Sequence, residues 1–181
     1  MAPVLAGIAH LYFESIHPFE DGNGRIGRAV AEKAMMRCMS GGPRFSLSRI
    51  IMRHRAAYYH QLQHAQSSLD ITEWLHWFTG VVTEAQADAL SWVAFTMQKA
   101  SFYNDHGSLL NERQHKAIER MFEEAPSGFK GGMNARKNIG ITGASKATAT
   151  RDLQDLLARG IFRVRGTGRS TSYDLALIEV A

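Results

Sequence analysis

Twelve consecutive residues, His17-Pro18-Phe19-Glu20-Asp21-Gly22-Asn23-Gly24-Arg25-Ile26-Gly27-Arg28, gather groups able to do chemistry. His17 is the one group among them that takes up a proton near neutral pH. Asp21 is a hard oxygen ligand, suited to a Mg²⁺ held mainly by phosphates and water. Gly22, Asn23 and Gly24 stand where a helix is expected to start. Backbone N–H groups there lack partners, and the helix dipole favours an anion. Glycine at 22 and 24 lets phosphate oxygens come close to the backbone. Arg25 and Arg28, three apart, share a helix face and offer two guanidinium forks to a polyphosphate. Together such groups bind a nucleotide polyphosphate and activate a hydroxyl beside it. Each residue alone has a plainer use: a structural histidine, an Asp-Gly turn, a solvated pair of arginines. The joint pattern carries the chemical reading.

Helices must position this stretch. Val4, Leu5, Ile8, Leu11, Tyr12 and Ile16 recur at helical spacing before it. His17-Pro18 ends that helix, because a residue before proline avoids the helical region. A second helix is expected from near Gly24, with Ile26, Val30, Ala34 and Met35 on one side and Gly41-Gly42-Pro43 as its stop. A third is expected over 48–66, with Ile51, Tyr58, Leu62 and Ala65 inward. Asp70 and Thr72 offer N-caps to a long fourth helix reaching Asn104. Its core stripe is Trp74, Phe78, Val81, Val82, Ala85, Ala89, Val93 and Met97. Asn104-Asp105-His106-Gly107 breaks the pattern. A helix over 111–124 buries Ile118, Met121 and Phe122, and the glycine-rich, basic segment 126–143 is expected to be partly mobile. A helix over 145–159 follows, with Ala149, Leu153, Leu156 and Leu157 inward and Gly160 as its C-cap. Residues 161–175 read as two short strands about a glycine turn.

Composition and charge bound the partners. The chain has 181 residues, 45% hydrophobic and 21% charged, which is a globular balance. Its single cysteine, Cys38, rules out an internal disulfide and fits a reducing compartment. No apolar run spans a bilayer and the first ten residues lack a secretory layout, so a cytoplasmic protein with no membrane partner is expected. Residues 1–133 hold 13 Lys+Arg against 13 Asp+Glu, whereas 134–181 hold 8 against 4. The whole excess of +4 therefore lies in the last quarter, which points to a separate basic module and to nucleic acid as its first candidate partner.

The motif resembles the Fic (Fic/Doc) family signature, His-Pro-Phe-x-Asp/Glu-Gly-Asn-Gly-Arg-x-x-Arg, at all nine fixed positions. The resemblance extends through Ala100, including 55–59 and 70–75. It implies a mainly α fold: a Fic-type helical bundle over 1–105. It also implies a protein adenylyltransferase that moves AMP from ATP to a hydroxyl side chain of a target protein and releases pyrophosphate. His17 would be the base, Asp21 would hold Mg²⁺, and Gly22, Asn23 and Gly24 would form the anion hole. Arg25 and Arg28 would hold the outer phosphates, and Phe19 would anchor the loop in the core. Tyr58 or Tyr59 would lie near the nucleotide base or simply in the core. The flap that docks a target, and an inhibitory helix with its glutamate, are not visible upstream. The chain is therefore expected to bind ATP and modify itself, and to modify other proteins poorly.

Residues 109–181 resemble a winged helix-turn-helix domain with a small β-hairpin wing, a common C-terminal companion of Fic domains. Lys146, Thr148, Thr150 and Arg151 would face outward near the start of the recognition helix, with Arg165 and Arg169 flanking the wing. That layout suits DNA; docking of a protein is the other use of such a module. The expected partners are ATP, an unidentified target protein, DNA and a second copy of the chain. Two alternatives stand beside the transferase. One is a transcription regulator whose loop senses nucleotide, and the other is an enzyme that removes AMP.

Overall fold

The computed structural model describes residues 1–38, 45–124 and 129–177. The expected stop at Gly41-Gly42-Pro43 lies outside the described residues. So do residues 126–128 of the glycine-rich segment and the side chains of Cys38 and Arg169. The packing forms two compact units, Met1–Leu90 and Ser91–Ala181. Among the described residues no helix is long and apolar enough to cross a membrane.

The first unit is helical. Its elements are α1 (Ala2–Ile16), α2 (Asn23–Cys38), α3 (Leu47–Arg53), α4 (Arg55–Gln66) and the first half of α5 (Thr72–His106). The α1 helix forms as its periodicity predicts, but it buries a different face. Ala6, Gly7, His10, Leu11 and Glu14 face inward. Val4, Leu5, Ile8, Tyr12 and Ile16 stand exposed. Small residues at 6 and 7 let α1 approach its neighbours, and Trp74 Nε1 donates to the Gly7 carbonyl at 2.9 Å. On α2 the buried line is Asn23, Gly27, Ala31 and Met35 at four-residue spacing, while Ile26 is exposed.

The single helix expected over 48–66 is two. The backbone leaves helical geometry at His54 (φ −109°, ψ 31°), whose N–H is shared between the carbonyls of Ile50 and Ile51. Acidic side chains of α5 hold this corner. Glu84 Oε2 lies 2.8 Å from His54 Nε2, and Asp88 Oδ1 accepts from Arg53 Nη2 at 2.8 Å. The core is Leu47, Ile50, Ile51, Tyr58, Ala65, Trp74, Phe78, Val81, Val82 and Ala85 with Ala31 and Met35.

In the second unit Val93 and Met97 of α5 are exposed, so the expected core stripe ends near Ala89. Next come α6 (Glu112–Glu123), α7 (Ala135–Thr142), α8 (Lys146–Ala158), β1 (Phe162–Arg165) and β2 (Ser172–Leu175). Residues within the expected mobile segment form α7, whose first turn is capped by Asn134 accepting from Lys137 N at 2.9 Å. A capping box joins Asn111 and Gln114 at the start of α6. The C-cap of α8 is Arg159; Gly160 follows it with φ 72°, and Gly160 and Ile161 donate to Leu157 and Leu156. That double closure needs a left-handed residue, which glycine supplies without strain. The strands pair antiparallel with Phe162 opposite Leu175 and Arg165 opposite Ser172. Met133 bridges Tyr173 through two backbone bonds of 2.7 Å. Phe102, Ile118, Met121, Phe122, Met133, Leu153, Leu156, Ile161 and Phe162 form this unit's core.

Candidate active site

The loop from His17 to Gly22 joins α1 to α2. Pro18 forbids His17 the helical region, and His17 takes the left-handed one instead (φ 49°, ψ 57°). It is the only described non-glycine residue with positive φ. Such a conformation costs about 1–2 kcal/mol without glycine. The bond from His17 N–H to the Phe13 carbonyl (3.0 Å) holds it as the C-cap of α1. Its side chain is exposed.

Phe19 is half exposed and rests against Phe13 with ring centres 6.3 Å apart, so it is not the core anchor expected from the sequence. Asn23 does the anchoring. It is 3% exposed, its Oδ1 accepts from Phe19 N–H at 3.0 Å, and its Nδ2 donates to the Phe19 carbonyl. The Asn23 side chain thus faces the loop backbone, and what Asn23 offers to an incoming group is its own N–H.

Gly22 has φ 86°, and its carbonyl accepts from both Arg25 and Ile26 N–H at 3.0 Å, which starts α2. Its N–H donates to Asp21 Oδ1. The N–H groups of Asn23 and Gly24 have no acceptor among the described residues, as expected in a first turn. Both arginines fold back over the glycines. A β-carbon on Gly22 would lie 3.5 Å from Arg25 Nη2, and one on Gly24 would lie 3.3 Å from Arg28 Nη1. The missing side chains leave room for guanidinium groups over the helix end. Arg25 is exposed and reaches Asp21 Oδ2 at 3.4 Å. Arg28 is half buried, and its Nε donates to Ser48 Oγ at 2.9 Å. Glu32 holds that serine's helix in place by accepting from Leu47 N–H at 2.9 Å.

Asp21 is almost fully exposed, and among the described residues no three His, Cys, Asp or Glu side chains cluster as a metal cage. A lone carboxylate beside an anion cradle fits a magnesium ion carried mainly by phosphates and water.

Beneath the loop lies a polar group that the sequence reading missed. His10 and Glu14 are buried, and both press on Gly27. A β-carbon there would collide with Glu14 Oε1 and lie 3.1 Å from His10 Nδ1. His10 Nε2 pairs with the Tyr58 hydroxyl at 3.1 Å. Glu14 Oε1 and His10 Nδ1 have no hydrogen-bond partner. Burial lowers the His10 pKa, and the Arg28 charge lowers it further against the Gly27 backbone. Burial raises the Glu14 pKa, opposed by the positive charges of His17 and Arg28. Burial also raises the Tyr58 hydroxyl. The available signal was two ionisable residues one turn apart, in line with Gly7, on a helix otherwise without charge. Tyr58 is therefore a core residue, whereas Tyr59 is exposed beneath the Arg55 guanidinium, 5.7 Å from its ring centre.

The basic module places its candidates differently. Lys146, Arg151 and Arg165 are exposed, and Thr148 and Thr150 are half buried. The Thr150 hydroxyl donates back to the Lys146 carbonyl at 2.9 Å, and the Thr148 hydroxyl lies 3.0 Å from Ser145 Oγ. Arg165 approaches Asp174 at 3.8 Å. The sequence reading also missed Asp152. It is buried on the inward side of α8, where Arg113 grips both its oxygens at 2.8 and 3.1 Å.

The family model of the Fic/DOC family matches residues 2–35, which hold α1, the His17–Gly22 loop and most of α2. A stretch of 119 residues is 32% identical to Protein adenylyltransferase Fic of Culex quinquefasciatus. That stretch is 64% of this chain and 22% of the relative, so the chain spans well under a third of the relative's length.

Proposed function

We propose that this chain is a protein adenylyltransferase that transfers AMP from ATP to a hydroxyl side chain of a protein, with residues 1–105 as its catalytic core. The observation that carries the reading is the start of α2. Two unpaired N–H groups and two guanidinium groups meet there over glycines, at the foot of a loop that begins with an exposed imidazole. The likeness to a Fic adenylyltransferase supports it.

Arg25 and Arg28 bind the outer phosphates, and the N–H groups of Asn23 and Gly24 receive the charge that develops on them. Ser48 fixes Arg28 in a single orientation, so less freedom is lost on binding. Asp21 would hold Mg²⁺, which supplies charge neutralisation on the phosphates. His17 removes the proton from the target hydroxyl. The hydroxyl oxygen then bonds to the α-phosphorus, and the bond to the bridging oxygen breaks. The proton rests on His17, and pyrophosphate leaves with the bonding pair. Incubation with ATP labelled at the α-phosphate and Mg²⁺ should place label covalently on protein. Binding of nucleotide without any label on protein would leave only a sensor.

Residues 109–181 are read as a winged helix that docks DNA. The order α6, Met133 bridge, α7, α8 and hairpin supports this, as do the exposed Lys146, Arg151 and Arg165. Affinity for DNA should fall steeply with salt as counterions are released. Salt-insensitive association with protein would assign the module to docking.

A further inference from the structure

The helix α1 has two unlike faces. Ala6, Gly7, His10, Leu11 and Glu14 are buried in the first unit. On the opposite side Met1, Val4, Leu5, Ile8, Tyr12 and Ile16 are exposed, from 37% at Val4 to 98% at Met1. Steps of three and four residues keep them on one side of the helix. Ser15 interrupts the apolar row, but its hydroxyl already donates to the Leu11 carbonyl at 2.8 Å. The imidazole and the carboxyl of α1, on His10 and Glu14, lie on the buried side, so the exposed side carries no charged side chain. Among the described α-helices that is true of α1 alone. The exposed face of α2, for contrast, holds Arg25, Lys33 and Arg37.

Such a stripe is costly in water. Its six large side chains leave roughly 600 Å² uncovered, the upper end for the largest apolar patch on a monomer and about what each partner gives to a small specific interface. Charge decides what covers it. Helices that lie on anionic lipid carry Lys or Arg beside the apolar face, and α1 has neither. A charged peptide finds no counter-charge on the stripe. An identical neutral stripe meets no repulsion, whereas two α2 faces would repel each other through their cations. Met1, Leu5, Ile8, Tyr12 and Ser15 also follow the alternating four- and three-residue steps of a two-helix seam, with Val4 and Ile16 flanking it.

We propose that the exposed face of α1 is the interface of a homodimer, in which α1 packs against the α1 of a second copy about a twofold axis near Ile8. A twofold interface sets the same patch against itself. Ile8 stands at the middle of the stripe and meets its own copy whichever way the two helices run. Tyr12 buries its ring and keeps its hydroxyl at the wet rim. Association uses none of the residues of the candidate active site, so it stands whether or not the loop transfers AMP.

Sedimentation velocity of the full chain, up to about 100 μM, should show a monomer–dimer equilibrium with a micromolar Kd. Ile8→Glu sets two carboxylates against each other and should weaken association at least about 100-fold. Ile8→Lys should do the same alone. An equimolar mixture of the two variants should recover a heterodimer, which a loss of folding could not produce. Helical circular dichroism of each variant should match the parent. If Ile8→Glu does not fold, Tyr12→Glu, at the most exposed position within α1, makes the same test of weakening. A parent chain that stays monomeric at about 100 μM overturns the proposal, including one that floats with phosphatidylcholine vesicles instead. A dimer that survives both glutamate substitutions lies on another surface and overturns it as well, and so does a Glu–Lys mixture that fails to pair.

Discussion

The two helix ends that carry the chain's candidate cations, those of α2 and α8, are finished in opposite ways. At α8 the Ser145 hydroxyl accepts from Thr148 N–H at 3.2 Å, and the Thr150 hydroxyl turns back on the helix. One first-turn N–H is taken up there by a side chain, and the long side chains of Lys146 and Arg151 stand exposed. At α2 the entry is glycine, the Asn23 side chain is spent on the loop, and the first N–H groups are left open beneath two guanidinium groups. The first arrangement suits an extended polyanion met by dispersed point charges. The second suits a compact anion gripped by backbone and forks together. The two starts thus differ in what stands over the first turn, a serine cap at α8 and glycines under two guanidinium groups at α2.

Substitutions can break that contrast. His17→Ala should reduce AMP transfer about 10²–10⁴-fold, as for loss of a general base. Its ATP affinity, measured by calorimetry, should stay within about twofold of the parent. A large loss of affinity would make His17 part of the anion grip. Arg28→Ala should weaken ATP binding about 10–100-fold by removing a charged fork. Arg151→Ala should change DNA affinity only severalfold and alike for all sequences, and should lower the slope against log salt by about one. Equal effects of the two arginines on their ligands would erase the distinction between gripped and dispersed charge.

Stability sharpens it further. Asn23→Ala removes two bonds to the Phe19 backbone and should cost about 1–3 kcal/mol by urea denaturation. Ser145→Ala, a lost cap, should cost about 1 kcal/mol. The smallest effect is on pH dependence. The folded Glu14 pKa lies above its ordinary 4.5, so the stability it contributes is complete below that pH and is lost as pH rises through the folded value. Glu14→Gln, neutral throughout, should therefore melt above the parent at neutral pH, with the gap closing as pH falls towards 4.5. His10 runs the other way. Its folded pKa lies below 6.5, so its contribution is present above 6.5 and fades on acidification.

The loop could be read from sequence because its logic is local. Proline after histidine, glycine around asparagine and arginines one turn apart act on neighbours in the chain. What escaped depends on which helices meet. Periodicity places Leu5, Ile8 and Tyr12 on one stripe, yet α1 packs by its small residues and buries two ionisable groups instead. The division of α3 from α4 at His54 depends on Glu84 and Asp88, thirty residues and more away. The burial of Asp152 likewise depends on Arg113, 39 residues earlier, which meets it within the second unit. The helices over 111–124 and 145–159 were legible because Asn111, Ser145 and Gly160 mark their ends chemically, whereas α7, capped by Asn134, lies in the segment expected to be mobile.

The bridge between Met133 and Tyr173 has a consequence for how the second unit comes apart. Two mutual backbone bonds close everything from α7 to the hairpin into a ring. That clasp ties the chain just before α7 to the second strand of the hairpin. The Met133 and Tyr173 amides should therefore exchange with deuterium only at the rate of whole-unit opening, making them reporters of its cooperative unfolding.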